Sequence, residues 1–244
     1  MNKHDKSAVS GAVTVRPVMS YRDMGQFIDV PWHIYADDSM WVPPLRLERR
    51  FHFSRYNPFF KHGEWQAWIA YRNNLPVGRI SAQIDTLHQE RYGTDKGHFG
   101  LFECIDDSAA CAALMLHAEA WLASRQIRYV SGPFNLSINP ECGVLVDGFD
   151  TPPVVMMPHS PRWYGRLLEE QGFLPAKDLL AYWVNVDFTP PPVMQTLIKR
   201  FSSQITLRTL RRNRFDEEMG SAIPECRLRR TVWFMADLGG SGTL

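Results

Sequence analysis

The sequence predicts an α/β fold in which a mixed and mostly antiparallel sheet is flanked by helices. Residues 64–85 indicate a hairpin, because Asn73 and Asn74 tolerate positive φ and Pro76 cannot donate to a strand ladder. The second arm of this hairpin alternates apolar and polar residues with a period of two. Strand-like and helix-like segments then alternate to about residue 201, which favours a sheet covered by helices.

The alternation in the second arm assigns its two faces. Gly78, Ile80, Ala82 and Ile84 share one face, which should meet a core, as in a half-buried strand. The opposite face should meet water or line a substrate groove. It carries Arg79, Ser81, Gln83 and Asp85.

Before the hairpin, Val13 and Val15 predict a first strand, and residues 21–35 predict a helix that Pro31 bends or interrupts. A short charged helix is expected at 46–51. Later segments follow the same logic, with capping residues at 106–108 and a helix stop at Gly172. The later strands are predicted at 98–104, 127–130, 144–146 and 179–186, and the later helices at 109–121, 162–171 and 193–201.

Composition narrows the functional classes. The chain has 244 residues, 45% of them hydrophobic, enough for one large domain or two small ones, and its net charge of +1 gives no global field for nucleic acid or membranes. The N-terminus lacks the apolar core of a signal peptide and no run could span a bilayer, so we expect a cytoplasmic protein without a transmembrane segment. The spacing of four cysteines fits neither a zinc site nor a disulfide framework, so reduced thiols and no metal are expected.

The order hairpin, strand, helix, strand, helix ending in Gly172-Phe173, strand resembles the GNAT superfamily of acyl-CoA-dependent N-acyltransferases. More narrowly, residues 31–218 resemble the N-terminal part of a bacterial subfamily of longer proteins. The resemblance implies a GNAT-like fold, an acyl-CoA or acyl-carrier-protein co-substrate, and transfer of the acyl group to an amine. It rests on the segments PWHIYADDSMWVPPL, NPFFKHGE, PVGRISAQID, FGLFECIDD, SGPFNLSINPECGVLVDGFD and QGFLPAKDLLAY.

Two departures from that family affect the expected chemistry. GNAT enzymes bind the cofactor pyrophosphate on a glycine-rich loop before a helix, whereas residues 103–110 contain no glycine and three carboxylates. The cofactor-binding residues therefore stay unknown. Many GNAT enzymes also carry a tyrosine general acid where Leu168 stands here, and leucine cannot donate a proton. Tyr164, one helical turn earlier, is a candidate substitute, although such a tyrosine is more often at the edge of a core.

The resemblance also predicts the domain limits. Residues 1–11 should be a disordered tail, 12–205 a GNAT-like domain, 206–219 the start of a missing second lobe, and 220–244 an atypical, disordered tail. The subfamily pattern fails after Glu218, which suggests a reading-frame disruption near Gly220; a variable terminus is the alternative. We therefore expect a truncated protein with weak activity or none.

The loop 132–143 is the best place for a binding site, because polar residues alternate along an extended path after a strand. Asn135, Ser137 and Asn139, together with Asp147, are candidate substrate-binding residues. The alternative for the asparagines and the serine is that their side chains cap the backbone of their own loop. The alternative for Asp147 is a surface carboxylate.

Glu141 and His159 are candidate catalytic residues beside Tyr164. Burial can raise a carboxylate pKa toward neutrality, and histidine titrates near neutral pH, so either can serve as a general base toward an amine. A surface carboxylate is the alternative for Glu141. Basic runs at 208–214 and 227–230 leave a nucleic-acid-binding protein as a weaker alternative.

The resulting hypothesis is a GNAT-like lobe of an N-acyltransferase whose acceptor is a small-molecule or lipid-like amine, including a long-chain amino alcohol. The alternative from another class is a non-catalytic substrate-binding or regulatory lobe. The sequence does not specify the acceptor, the acyl length or the oligomeric state.

Overall fold

A computed structural model describes residues 11–181, 189–202 and 211–214. The described residues divide into two compact units, one formed by 11–176 and the other by 177–181, 189–202 and 211–214. All strands among the described residues belong to the first unit. Both predicted tails, and most of the predicted start of a second lobe, lie outside the described residues.

The first unit is built on a five-stranded sheet with strand order β1-β2-β3-β4-β5. Neighbouring strands are antiparallel except for the parallel pair β4 and β5. The predicted mixed, mostly antiparallel sheet flanked by helices is therefore confirmed. Its strands are β1 (Val13–Pro17), β2 (Gly63–Arg72), β3 (Leu75–Asp85), β4 (Lys96–Cys104) and β5 (Tyr129–Ser131), and a small second sheet contains β6 (Phe134–Asn135) and β7 (Ser137–Cys142).

The predicted hairpin is confirmed in detail. Arg72 pairs with Leu75, and both intervening residues, Asn73 and Asn74, adopt left-handed φ angles of 51° and 62°. Two left-handed residues in a two-residue loop match the right-handed twist of the flanking strands. The asparagines are there because they accept this conformation at little cost.

Helices cover both faces of the sheet, which corrects one expectation. The polar face of β3 carries Arg79, Ser81 and Gln83, and all three are buried rather than exposed to water or a groove. The Arg79 guanidinium donates to the carbonyl of Phe27 in the helix that covers this face, at 2.8 Å. The sequence period correctly separated the two faces, but it could not show that a helix lies over the polar one.

The helices of the first unit are α1 (Tyr21–Ile34), α2 (Arg46–His52), α3 (Thr86–Tyr92), α4 (Ser108–Ala123) and α5 (Tyr164–Glu170), with a 3-10 turn at Pro58–Lys61. Pro31 lies inside α1, which nevertheless continues to Ile34. Helix α3 was predicted only as a polar connection, and the apolar run at 144–146 is not a strand. None of the helices among the described residues is long and apolar enough to cross a membrane.

Two apolar clusters hold the layers together. The larger lies between the sheet and α4 and α5, and includes Phe99, Leu114 and Leu167. The smaller lies between the sheet and α1, where Phe27 and Ile69 are almost fully buried. The second unit, described by itself, contributes α6 (Pro192–Phe201) and a 3-10 turn at Arg212–Arg214; most of the strand predicted at 179–186 lies outside the described residues.

Candidate functional site

Strand β4 becomes irregular in its second half. Between Arg79 and Ser81 the β3–β4 register shifts, because Arg79 pairs with Glu103 while Ser81 pairs with Gly100. The extra residue in β4 forms a bulge at which Leu101 has a φ of 47°. The Leu101 N–H donates to the Asn135 side-chain carbonyl at 2.8 Å, so the bulge loses no buried hydrogen bond.

The parallel pairing of β4 with β5 ends at His98, and a cleft opens beyond it. The enclosed part of the cleft is small, about 40 Å³, and the rest of its space is open to solvent. Its walls come from the end of β4, the loop after β5 and the segment before α5. They are formed by Leu101, Phe102, Glu103, Pro133, Asn135, Glu141, Gly143, Val144, Pro158, His159, Ser160 and Tyr164.

Glu103 is the most deeply buried carboxyl group of the cleft. Its Oε2 accepts hydrogen bonds from the phenols of Tyr35, at 2.8 Å, and Tyr164, at 2.7 Å. The Arg79 guanidinium lies 3.4 Å from Oε1, and the two side chains of this pair are only 9% and 15% exposed. Glu103 therefore has a complete set of partners inside the protein.

Burial governs the charges in this cluster. It raises the pKa of Glu103, while the Arg79 charge and the two phenol hydrogen bonds act in the opposite direction. Burial, followed by the nearby Glu103 charge, raises the pKa of Tyr35 and of Tyr164 well above the usual phenol value. Both phenols consequently stay protonated at neutral pH, and both act as hydrogen-bond donors.

A second carboxylate lies on the same cleft. Glu141 forms an ion pair with Arg49 of α2 at 2.7 Å, and its other oxygen accepts from the Asn135 amide at 2.9 Å. Because Asn135 also holds the Leu101 N–H, one amide side chain connects the bulge in β4 to Glu141. The proximity of Glu141 contributes to the raised pKa of Glu103.

His159 is paired with a carboxylate from the segment after α1. Its Nε2 lies 2.7 Å from Asp38 Oδ2, and the His159 side chain is only 5% exposed. Burial acts to raise the pKa of Asp38, but the hydrogen bonds from His159 and from the Met40 N–H outweigh it, so the pKa is lowered. An ionised Asp38 favours the imidazole tautomer that carries its proton on Nε2, which leaves Nδ1 to accept one.

The structure brings together four of the seven predicted site residues, namely Glu141, His159, Tyr164 and Asn135. Ser137 and Asp147 are exposed, so Asp147 is the surface carboxylate of the alternative, and it accepts a hydrogen bond from the adjacent Gly148 N–H. The Asn139 side chain lies outside the described residues. The catalytic and binding roles assigned to these residues stay predictions.

The sequence reasoning missed Tyr35, Asp38 and Arg49, placed Arg79 on a face toward water or a substrate groove, and treated Glu103 only as a charge that repels phosphate. Each of the missed residues reaches the cleft through long-range packing: Tyr35 is 68 residues from Glu103, and Asp38 is 121 residues from His159. One local signal existed, since Glu103 is a carboxylate in an otherwise apolar strand. Such a residue needs internal partners when its strand is central.

The N-terminus of α4 is the place where the family resemblance implies a pyrophosphate. Here the Asp107 carboxylate accepts from the N–H groups of Ala109, at 2.9 Å, and Ala110, at 3.3 Å, and it also contacts the Arg72 guanidinium. Neighbouring Asp106 pairs with Arg166 of α5. The Asp107 carboxylate thus accepts the hydrogen bonds from the N–H groups that would otherwise bind an anion. The N-terminus of α4 therefore does not fit a bound pyrophosphate.

Comparison with known proteins gives two curated relatives, whereas no family model matches the chain. Protein YghO of Escherichia coli is 48% identical over 206 residues, which are 84% of this chain and 53% of the relative. The bacterial ceramide synthase of Caulobacter vibrioides is 43% identical over 210 residues, which are 85% of this chain and 55% of the relative. The chain therefore spans about half the length of the curated relatives that it matches, and its similarity to them covers most of its own residues.

Proposed function

We propose that this chain forms a GNAT-like lobe of an N-acyltransferase that transfers an acyl group from coenzyme A or a carrier protein to an amine. The observation that carries the proposal is the 43% identity to a bacterial ceramide synthase over 85% of the chain. A ceramide is the amide of a fatty acid with a long-chain amino alcohol, so we infer an acceptor of that kind. The proposal is supported by the polar side chains that line the cleft, among them Glu141, His159 and Asn135, which are of the kind that bind an amine or a hydroxyl.

The His159–Asp38 pair is the proposed general base. When the acceptor amine attacks the thioester carbonyl, a C–N bond forms and the C–S bond breaks. His159 Nδ1 takes one proton from the amine nitrogen and then gives that proton to the departing thiolate, which leaves as the thiol. Asp38, 2.7 Å from Nε2, stabilises the imidazolium that forms in between.

Glu141 is the proposed binding group for the acceptor. Because Arg49 and Asn135 hold its two oxygens in place, this carboxylate has a fixed position from which to accept a hydrogen bond from an ammonium or hydroxyl group. Tyr164 has a different proposed role from the one that the sequence suggested. Its proton is donated to Glu103 at 2.7 Å, so it positions that carboxyl group instead of protonating a leaving thiolate.

The test uses the full chain with a long-chain amino alcohol and an acyl-CoA or acyl carrier protein, following thiol release and amide formation by mass spectrometry. We expect His159→Asn to lower the rate by a factor of about 10² to 10⁴, as expected for the loss of a general base. His117→Asn is the matched control, because His117 does not line the cleft and its Nδ1 bonds to the Ala113 carbonyl of its own helix. Equal rates in the two variants would exclude His159 as the base.

A second candidate function is a non-catalytic lobe that binds the acceptor. The observation that favours it is the Asp107 carboxylate at the N-terminus of α4, where it would repel a pyrophosphate. Calorimetry separates the two candidates. Binding of the amino alcohol without measurable binding of acyl-CoA supports the non-catalytic lobe, whereas acyl-CoA binding with thiol release supports the enzyme. If acyl-CoA binds at the N-terminus of α4 and is weakened there by repulsion from Asp107, Asp107→Asn should strengthen acyl-CoA binding.

A further inference from the structure

Exposed large apolar side chains of the first unit are concentrated in one stretch of the sequence that contains α2, and the contact of Arg50 with the Tyr21 ring brings the start of α1 beside this helix. Seven of the fifteen large apolar residues that are exposed within residues 11–176 lie between positions 19 and 56. Single exposed apolar residues are normal on any protein, but a cluster of this kind marks a binding surface. The cluster consists of Met19, Tyr21, Val42, Leu45, Leu47, Phe51 and Tyr56.

Helix α2 forms the centre of this surface. Leu47 and Phe51 are four residues apart, so they share one helix face, and they are 74% and 65% exposed. No residue of α2 is buried. The helix is nevertheless fixed in place, because Arg49 reaches Glu141 on the cleft and Arg46 pairs with Asp29 of α1 at 2.6 Å. Helix α2 therefore has a fixed position, and its apolar face is exposed in that position.

The charges on this surface have one predominant sign. Residues 42–56 contain four arginines and one glutamate. Two of the arginines lie against exposed rings: the Arg50 guanidinium is 5.0 Å from the centre of the Tyr21 ring, and that of Arg55 is 5.2 Å from the centre of the Tyr56 ring. Tyrosine rings and arginine side chains both place an apolar body beside a polar end, which suits the boundary between hydrocarbon and lipid headgroups.

We propose that this surface, defined by Tyr21, Leu45, Leu47, Arg50, Phe51, Arg55 and Tyr56, binds the surface of an anionic phospholipid bilayer. Leu47 and Phe51 enter the outer hydrocarbon region, while Arg50 and Arg55 bind lipid phosphates. The near-neutral net charge of the whole chain does not oppose this, because attraction within a Debye length depends on the local charge. The inference goes beyond the proposed function, since it requires no reaction.

The surface also explains how an amphiphile could reach the cleft. One side of α2 contacts the cleft through the Arg49–Glu141 ion pair, and the other side carries Leu47 and Phe51. A bilayer bound to the exposed side would lie one helix diameter from Glu141, roughly 10 Å. A lipid-like acceptor could then move from the bilayer to the cleft without crossing bulk water.

The test is cosedimentation of the full chain with extruded vesicles of phosphatidylcholine alone and of phosphatidylcholine mixed with phosphatidylglycerol. We expect binding to the mixed vesicles, with at least about tenfold weaker binding for Leu47→Ser/Phe51→Ser, because two large side chains lose their burial in lipid. Leu75→Ser/Leu116→Ser is the matched control, since these residues are equally exposed, at 68% and 65%, but lie in the hairpin and on α4. Arg50→Gln/Arg55→Gln should weaken binding and reduce its dependence on salt.

Two results would overturn the proposal: membrane binding through α6 instead of α2, and self-association of the chain through the α2 surface. Helix α6 also exposes apolar residues beside Lys199 and Arg200, so binding that is lost in Leu197→Ser/Ile198→Ser and retained in Leu47→Ser/Phe51→Ser would overturn the proposal. So would self-association of the chain that Leu47→Ser/Phe51→Ser abolishes, as measured by light scattering. His159→Asn should bind vesicles like the wild type, so loss of activity and loss of membrane binding are separate outcomes.

Discussion

Replacing Glu103 with glutamine tests whether the buried cluster is a major source of stability. The change keeps the side-chain shape but removes the charge that faces Arg79 and one of the acceptor oxygens. The Arg79 guanidinium, only 9% exposed, would then keep its hydrogen bond to the Phe27 carbonyl but lose its counter-charge. Glutamine places an NH2 group where a carboxyl oxygen accepted a hydrogen bond, so one buried donor among Tyr35, Tyr164 and Arg79 loses its acceptor. Leaving a buried donor unsatisfied costs about 1–3 kcal/mol, and we expect a loss of free energy of unfolding in this range for Glu103→Gln at neutral pH.

The measurement is urea unfolding monitored by circular dichroism. The slope m is compared between variants to verify that each unfolds in the same two-state transition. Glu64→Gln is the matched control, because Glu64 also lies in the sheet and pairs with an arginine, Arg125, at 2.9 Å. That pair is solvent-exposed, so its loss should cost less than about 1 kcal/mol. Equal losses in the two variants would refute the claim that Glu103 stabilises the fold through its buried partners.

The same comparison has a predicted pH dependence. Because burial raises the pKa of Glu103 above its ordinary value of 4.5, the folded state binds more protons at this site than the unfolded state. The wild type should therefore gain stability as the pH falls from above the raised pKa to below 4.5, and Glu103→Gln should lack this gain. The difference between the two should widen on acidification; a difference that narrows would contradict the raised pKa.

Two further predictions concern packing and thiol reactivity. A β-carbon at Gly100 would lie 1.7 Å from the Phe134 carbonyl oxygen, so Gly100→Ala should lower the free energy of unfolding in urea by about 3 kcal/mol or more. The control is Gly165→Ala in α5, where the added β-carbon meets no atom within 4 Å and should raise the free energy of unfolding by up to about 1 kcal/mol. Burial raises the pKa of the Cys111 thiol to about 12, so Cys111 should react with a disulfide reagent only on unfolding, after the partly exposed Cys142; fast labelling of Cys111 in the folded protein by mass spectrometry would contradict its burial.

The fold could be predicted largely because its signals are local. The hairpin depends on Asn73 and Asn74, and the start of α4 depends on an aspartate that caps its first N–H groups, so each is encoded within a few residues. The burial of Arg79, Ser81 and Gln83 could not be predicted in this way. Arg79 is covered by α1, whose Phe27 carbonyl accepts from it, and Gln83 is covered by the loop after β5, where it exchanges hydrogen bonds with the Leu136 backbone. Both cover a face whose own sequence period is that of a water-facing strand.

The candidate site was predictable only in part, for the same reason. Asn135 and Glu141 are close in sequence, and the alternation of polar residues in their loop was enough to single them out. Tyr35 and Asp38 follow α1, and nothing near them in the sequence indicates that they meet Glu103 and His159. Pairs of this kind form only when α1 is placed against the sheet.

The position of the cleft follows from the bulge in β4. In a regular strand, residues 101 and 103 would point to the same face and continue the ladder, but the left-handed φ of Leu101 changes the direction of the chain and leaves one N–H without a strand partner. Asn135 supplies that partner and simultaneously holds Glu141. The irregularity of one strand thus determines where both carboxylates of the cleft lie. The Asp107 carboxylate occupies the N-terminus of α4, so the N–H groups there are satisfied by the chain itself and the two carboxylates of the cleft lie at the bulge instead.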